Sequence, residues 1–267
     1  MKIALIAGAR PNFVKAAPLL AALARQPECE SILIHTGQHY DQEMVVADLV
    51  ADRLFTPTEE DGDNLRNAGI SEEEIHFTGN VMADALLGAH KLAAARRAWR
   101  RWGLAEGAYG VLALHRVANV DDPATLARLL DAAGRVAGRI PLVFPVHPRT
   151  RRRLAEADYA GALERAPRLV ATEPLGHLDF VSLLGGARLV LTDSGGVQAE
   201  ATILGVPCVT LRERTEWPVT VALGGNQLAG TDPERALAGL SVGRELPPRW
   251  DGHAADRIAE VVMHEPG

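Results

Sequence analysis

The sequence predicts an α/β fold built on parallel strands, and three observations lead there. Short apolar runs alternate with longer stretches of helical periodicity, the connections between them are short, and polar, often glycine-bearing segments follow the apolar runs. In chain order, KIALIA (2–7) reads as a buried strand and Pro11 to Ala24 as a helix opened by a proline near its first turn. SILIH (31–35) is a second strand. Val45 to Leu54 is apolar at helical spacing, TPTE (56–59) reads as a helix start, and IHFT (75–78) as a short strand. One long Ala- and Arg-rich helix follows from Val81 to Trp102, its 89–101 stretch joining two lobes.

The second half is more regular. Strands are predicted at 109–114, 141–146, 168–171, 188–191 and 207–211, with helical patterns at 122–138, 148–160, 176–186 and 195–204. Five strands make a complete Rossmann-like domain. Two strands and a short third leave the first half thin for an independent one, and the expected division is 1–86 and 87–267.

Composition narrows the function. Of 267 residues, 47% are hydrophobic and 23% charged, enough to bury the core of one large domain or two modest ones. A net charge of -6 argues against a general nucleic-acid binder, so a phosphate-bearing ligand needs a locally basic pocket. Cys29 and Cys208 have neither CxxC nor Cys/His spacing, which predicts reduced thiols and no metal site. IALIA (3–7) is too short for a signal-peptide core and no run is long enough to span a bilayer, so neither membrane association nor export is expected, and the cytoplasm is the default location.

Ligands of open α/β sheets gather beyond the carboxyl ends of the strands. The segments there are GARPN (8–12), HTGQH (35–39), HRVAN (115–119), HPR (147–149), EPLG (173–176), DSGG (193–196) and RERTEWP (212–218). Together they carry four histidines and five arginines, the makings of an anion-binding mouth. The most informative is Thr192 to Glu200, where a strand passes through Ser194-Gly195-Gly196 into a helix. Backbone N–H groups and the positive end of a helix dipole would point outward there, with glycines permitting close approach of a phosphate. The same residues also suit an ordinary turn in which Asp193 or Ser194 caps the helix. His115 suits acid–base or phosphate work, or a plain loop position. Glu200, one and a half turns into the helix, could reach a ligand on that N-terminus or merely favour the helix dipole.

Seven motifs then match one family in order. They are GARPNFVKAAP (8–18), HTGQHYD (35–41), FTGNVMADAL (77–86), LHRVANVDDP (114–123), FPVHPRT (144–150), LTDSGGVQAEA (191–201) and RTEWP (214–218). Together they resemble the non-hydrolysing UDP-N-acetylglucosamine 2-epimerases. The resemblance implies two Rossmann-like domains in a glycosyltransferase-B arrangement, a UDP-sugar held between them, and no cofactor or metal. It implies an isomerase that interconverts UDP-GlcNAc and UDP-ManNAc for cell-surface polysaccharide, by eliminating UDP to 2-acetamidoglucal and adding it back after protonation at C2 from the other face. Arg10 and Lys15 fall in the N-terminal substrate motif, Arg10 as a diphosphate contact. His115 matches the active-site histidine near the leaving diphosphate. Ser194, Gly195 and Gly196 match the diphosphate cradle, and Glu200 the acid on the uridine ribose. Gln38, His39, Arg116 and His147 match a neighbouring site where bacterial relatives bind a second UDP-GlcNAc as activator. A glycosyltransferase-B transferase is disfavoured because the motifs are epimerase-like.

The chain also departs from the family. After Met44 it jumps to VVADLVADRLFTPTE (45–59), so roughly a hundred residues, about three βα units, are expected to be missing from the N-terminal domain. The lost stretch holds the family's Gly-Asp turn and its H-V-E-A-G and P-E-E-x-N-R motifs, which supply catalytic carboxylates. Three further acids are replaced, by Ala118, Ala199 and Val219. These losses raise an alternative, a UDP or UDP-sugar binding relative without turnover. A sheet stripped of central strands also exposes edges, which a homodimer would cover.

Overall fold

The computed structural model describes residues 2–7, 10–35, 53–156, 166–230 and 245–264. The chain forms two compact units, Met1–Gly88 with Pro247–Gly267, and Ala89–Leu246. The C-terminal segment from Pro247 is grouped with the first unit. Sequence periodicity could not show this, because the segment is one more amphipathic helix whose partner lies more than 200 residues away.

The first unit opens with β1 (Lys2–Ala7), α1 (Arg10–Leu23) and β2 (Glu30–His35), β1 and β2 pairing in parallel. β3 (Leu54–Thr56), α2 (Glu59–Asn67) and β4 (Ile75–Phe77) form a second parallel pair. The predicted helix start is right in detail, since Thr58 caps α2 by accepting the Asp61 N–H at 3.1 Å. β3 was not expected. Leu54 ends the apolar stretch read as helical, of which residues 45–52 lie outside the described ones. At Gly79, φ is +95° and an added Cβ would lie 2.0 Å from the Arg249 carbonyl oxygen, so only glycine fits.

The predicted long helix is interrupted. α3 spans Val81–Ala93, and two 3-10 turns, Ala94–Arg96 and Ala98–Trp102, follow. Arg97 between them is left-handed at φ 45°, and the turn it makes buries Trp99 at 7% exposure.

The second unit is a single parallel sheet. Its strands are β5 (Gly110–Ala113), β6 (Leu142–Pro145), β7 (Leu169–Thr172), β8 (Leu189–Thr192), β9 (Cys208–Thr210) and β10 (Asn226–Leu228), in the order β10-β9-β8-β5-β6-β7. Successive residues feed opposite layers. Val111, Val143, Val190 and Cys208 pack in one cluster with Leu183, Leu184 and Trp99. Leu112, Leu142, Phe144, Leu191 and Val209 pack in the other, with Leu126, Leu129, Leu130 and Val136. Each buried Leu, Val or Phe contributes about 1.5–3 kcal/mol.

Between β5 and β6 lie a short helix α4 (Val117–Val120) and the long α5 (Pro123–Arg139). α5 starts where its sequence says, with Asp122 accepting the Thr125 N–H at 2.9 Å and Pro123 in the first turn. α6 (Pro148–Glu156), α7 (His177–Gly185), α8 (Gly195–Ile203) and α9 (Pro218–Ala222) complete the connections. The chain leaves β5 towards β6 and β7, then returns to lay β8 on the other side of β5. Such a reversal opens a crevice at the strands' carboxyl ends, here between β5 and β8.

The last helix, α10 (Ala254–His264), belongs to the first unit. Its Ala255 and Ala259 pack on Ala22 and Leu23 of α1, and Asp84 of α3 accepts the Ala254 and Ala255 N–H groups at 3.3 and 2.9 Å.

Candidate functional site

The β8–α8 turn lies at one side of that crevice. Ser194 is extended (φ -90°, ψ 122°) and its hydroxyl accepts the Val197 N–H at 3.4 Å, so it caps α8. Its own N–H donates to Thr192 Oγ1 at 3.0 Å. Capping and an outward-facing helix N-terminus coexist here, because the amides of the first turn have no intrahelical partner.

Asp193 is not the cap. Its side chain, with 0% exposure, turns back towards the end of β5. The carboxylate accepts the His115 N–H at 3.0 Å, the Arg116 N–H at 3.0 Å and the Asn119 side-chain amide at 3.2 Å, and lies 3.1 Å from His115 Nδ1. Burial pushes its acid up, but the donors from His115 and Arg116 outweigh this and hold it below the usual carboxylate range. An ionised carboxylate only accepts, so the facing Nδ1 of His115 carries a proton and Nε2 is turned away from Asp193.

His147, at the end of β6, puts its ring centroid 5.3 Å from that of His115. Its Nδ1 accepts the Arg149 N–H at 3.2 Å. Desolvation, followed by the charges of His115 and Arg149, keeps it below the usual imidazole range against the pull of Asp193.

Glu216 faces the turn from the loop after β9. Its carboxylate accepts from both Arg116 and Arg212. Burial acts to raise its acid, yet Arg212, its own backbone N–H and Arg116 bring it down to about 2. A Cβ on Gly195 would stand 2.7 Å from Glu216 Oε2. Gln198 of α8, fully buried, fixes this loop by accepting the Thr215 hydroxyl at 2.7 Å and donating to Thr220 Oγ1 at 2.7 Å. Beside it, a cleft of about 350 Å³ opens between Arg116, Ala118 and Asn119 and the segment Leu211 to Arg214.

The second unit thus brings His115, Arg116, His147, Ser194 and Gly195 to the ends of β5, β6 and β8, with Gly196 next on α8. Glu200 is part-buried on α8, and burial pushes its acid up to about 7. In the first unit, Arg10 is the first residue of α1 and Lys15 is exposed on the same helix. Gln38 and His39 lie outside the described residues. Sequence reasoning missed Asp193 as the shared acceptor, Gln198 as the loop's anchor, and Glu216. The available signal was their setting, since polar residues just after a buried strand or facing α8 must find partners. Among the described residues, no group of three His, Cys, Asp or Glu side chains is placed to hold a metal ion, and no helix is long and apolar enough to cross a membrane.

Comparison with known proteins places the chain in a family. The family model for UDP-N-acetylglucosamine 2-epimerase matches residues 45–263. A UDP-N-acetylglucosamine 2-epimerase of Methanococcus maripaludis is 36% identical over 231 residues, 83% of this chain and 63% of that protein. The chain thus spans less than two thirds of the length of this relative. A UDP-2,3-diacetamido-2,3-dideoxy-D-glucuronate 2-epimerase of Pseudomonas aeruginosa is 30% identical over 365 aligned positions, 98% of this chain and 99% of the relative. Those positions outnumber the 267 residues here while reaching nearly both ends, so an internal stretch of the relative has no counterpart in this chain. The solved structure of the Methanocaldococcus jannaschii UDP-GlcNAc 2-epimerase in complex with UDP-GlcNAc and UDP matches 99% of this chain and 100% of that one, with 26% identity and a TM-score of 0.83. The fold class is the glycosyltransferase-B type expected from the motifs. By family model, relatives and fold together, this chain belongs to the UDP-N-acetylglucosamine 2-epimerase family.

Proposed function

We propose that the chain binds a UDP-N-acetylhexosamine at the β8–α8 turn and interconverts UDP-GlcNAc and UDP-ManNAc. The observation that carries this reading is the buried Asp193 carboxylate, which holds the backbones of His115 and Arg116 beside the Ser194-Gly195-Gly196 helix start. A diphosphate there meets helix N–H groups, the dipole and a cationic rim. In this reading His115 stabilises the departing diphosphate and Glu200 takes the ribose hydroxyls, while Arg10 and Lys15 are assigned to substrate by the family motif alone. Gln38, His39, Arg116 and His147 are the candidates for a second, activating sugar-nucleotide site. UDP leaves to give 2-acetamidoglucal, C2 is protonated from the other face, and UDP adds back.

A second reading is a UDP-sugar binding protein without turnover. The unmatched internal stretch favours it, since the family's carboxylate-bearing H-V-E-A-G and P-E-E-x-N-R motifs have no counterpart here. One experiment separates the two. Purified protein is incubated in deuterated water with UDP-GlcNAc and, because the Pseudomonas relative is a 2-epimerase of a diacetamido glucuronate, with that nucleotide sugar too. Deuterium at C2 with formation of the epimer supports catalysis, and tight UDP binding without exchange supports the second reading.

A further inference from the structure

We propose that Glu216 is a positioning residue, which aims the Arg116 and Arg212 guanidiniums at the diphosphate of the nucleotide on the β8–α8 turn, Arg116 serving this seat where it adjoins the second sugar-nucleotide site. The proposal rests on reading the β8–α8 turn as the diphosphate seat. Arg116 follows β5 and Arg212 follows β9, so the two arginines come from strand ends on opposite sides of β8. Each has a long side chain that loses about 2 kcal/mol of rotamer entropy when fixed. One carboxylate with a guanidinium on each oxygen, Arg116 on Oε1 and Arg212 on Oε2, fixes both.

Three further features fit this role. Glu216 is held on its own account, because the buried Gln198 ties Thr215 and Thr220, on either side of it, to α8. The carboxylate lies against the face of Gly195 that a side chain would occupy, close enough that a Cβ there would meet Oε2 at 2.7 Å. That glycine therefore serves the bracket as well as the phosphate's approach. Finally, two guanidiniums share one carboxylate, so Glu216 alone does not cancel the charge of the pair. Held down to about 2, the Glu216 acid stays ionised across the neutral range.

The test measures UDP and uridine binding by calorimetry on the unaltered chain, on Glu216→Gln and on Glu216→Asp. The Glu216 side chain is 48% exposed, so its replacement leaves no buried cavity, and thermal melts confirm the fold. Loss of aim in two charge-assisted contacts predicts that Glu216→Gln weakens UDP about tenfold while uridine is unaffected. Glu216→Asp regains part of the UDP affinity. In a background of Arg116→Ala with Arg212→Ala, Glu216→Gln then has no further effect. Unchanged or tighter UDP binding by Glu216→Gln, or equal losses for UDP and uridine, would overturn the proposal. Failure of the unaltered chain to bind UDP at all would instead overturn the nucleotide reading beneath it.

Discussion

Asp193 reaches His115 twice: its carboxylate accepts the histidine's backbone N–H at 3.0 Å and faces the ring Nδ1 at 3.1 Å. One buried acid on the turn after β8 thereby sets both the position of a residue just beyond the neighbouring strand β5 and the proton on its Nδ1.

Replacement of Asp193 by Asn should therefore do two things. An amide NH2 would confront donors that now meet a carboxylate, costing about 2–4 kcal/mol of stability by urea denaturation. The imidazole of His115 would also lose the acceptor that holds the proton on Nδ1, visible in nitrogen-detected NMR of the ring. Because the folded value of Asp193 is depressed, its stabilisation is present above the ordinary carboxylate range and lost as pH falls through the folded value. The unaltered chain should show that acid-side loss, and Asp193→Asn should lack it.

Glu200 has the opposite sign. Its acid is raised from 4.5 to about 7, so its contribution to stability is full below the ordinary value and fades as pH rises through about 7. Relative to the unaltered chain, Glu200→Gln should gain on the order of 1–2 kcal/mol between pH 4.5 and 8, after discounting for solvent reaching a part-buried group. If ribose hydroxyls donate to this carboxylate, UDP binding near pH 7 releases a proton. Calorimetry in buffers of different ionisation enthalpy reads that directly, and no release would remove Glu200 from the ribose.

Gln198→Leu should unfasten the loop that carries Glu216. The substitution keeps the volume but removes the acceptor of the Thr215 hydroxyl and the donor to Thr220 Oγ1, at about 1 kcal/mol each, while both hydroxyls keep their bonds to the Trp217 backbone. Faster proteolysis within residues 212–220, with the sheet otherwise intact, is the expected readout.

Gly79→Ala should cost more than any of these, at least about 3 kcal/mol, because the new methyl meets a backbone oxygen at 2.0 Å and the residue must hold φ at +95°. A melt that shows the first unit lost and the second retained would locate the damage.

The second unit was readable because its strands are covered on both faces, so each appears as an unbroken apolar run such as YGVLAL, PLVFPV or RLVL. β10 was not, because its sequence is Asn-Gln-Leu. It lies at the sheet's edge, with Asn226 accepting the Thr210 hydroxyl at 2.8 Å. The break at Arg97 escaped notice because Ala and Arg are strong helix formers, and burial of Trp99 overrides that preference. The gathering of His115, Arg116 and His147 at the ends of β5 and β6 was legible from their places just after apolar runs. The acids that organise it, Asp193 and Glu216, were not, since what they do depends on neighbours from other strands.

The return of α10 to the first unit has a consequence for biosynthesis. A unit that begins at the first strand yet needs Pro247–Gly267 to finish its packing cannot close while the ribosome is still making the second. The sheet of six strands, continuous in sequence, can fold first and wait. Until that segment is made, Ala22 and Leu23 of α1 lack the Ala255 and Ala259 against which they pack.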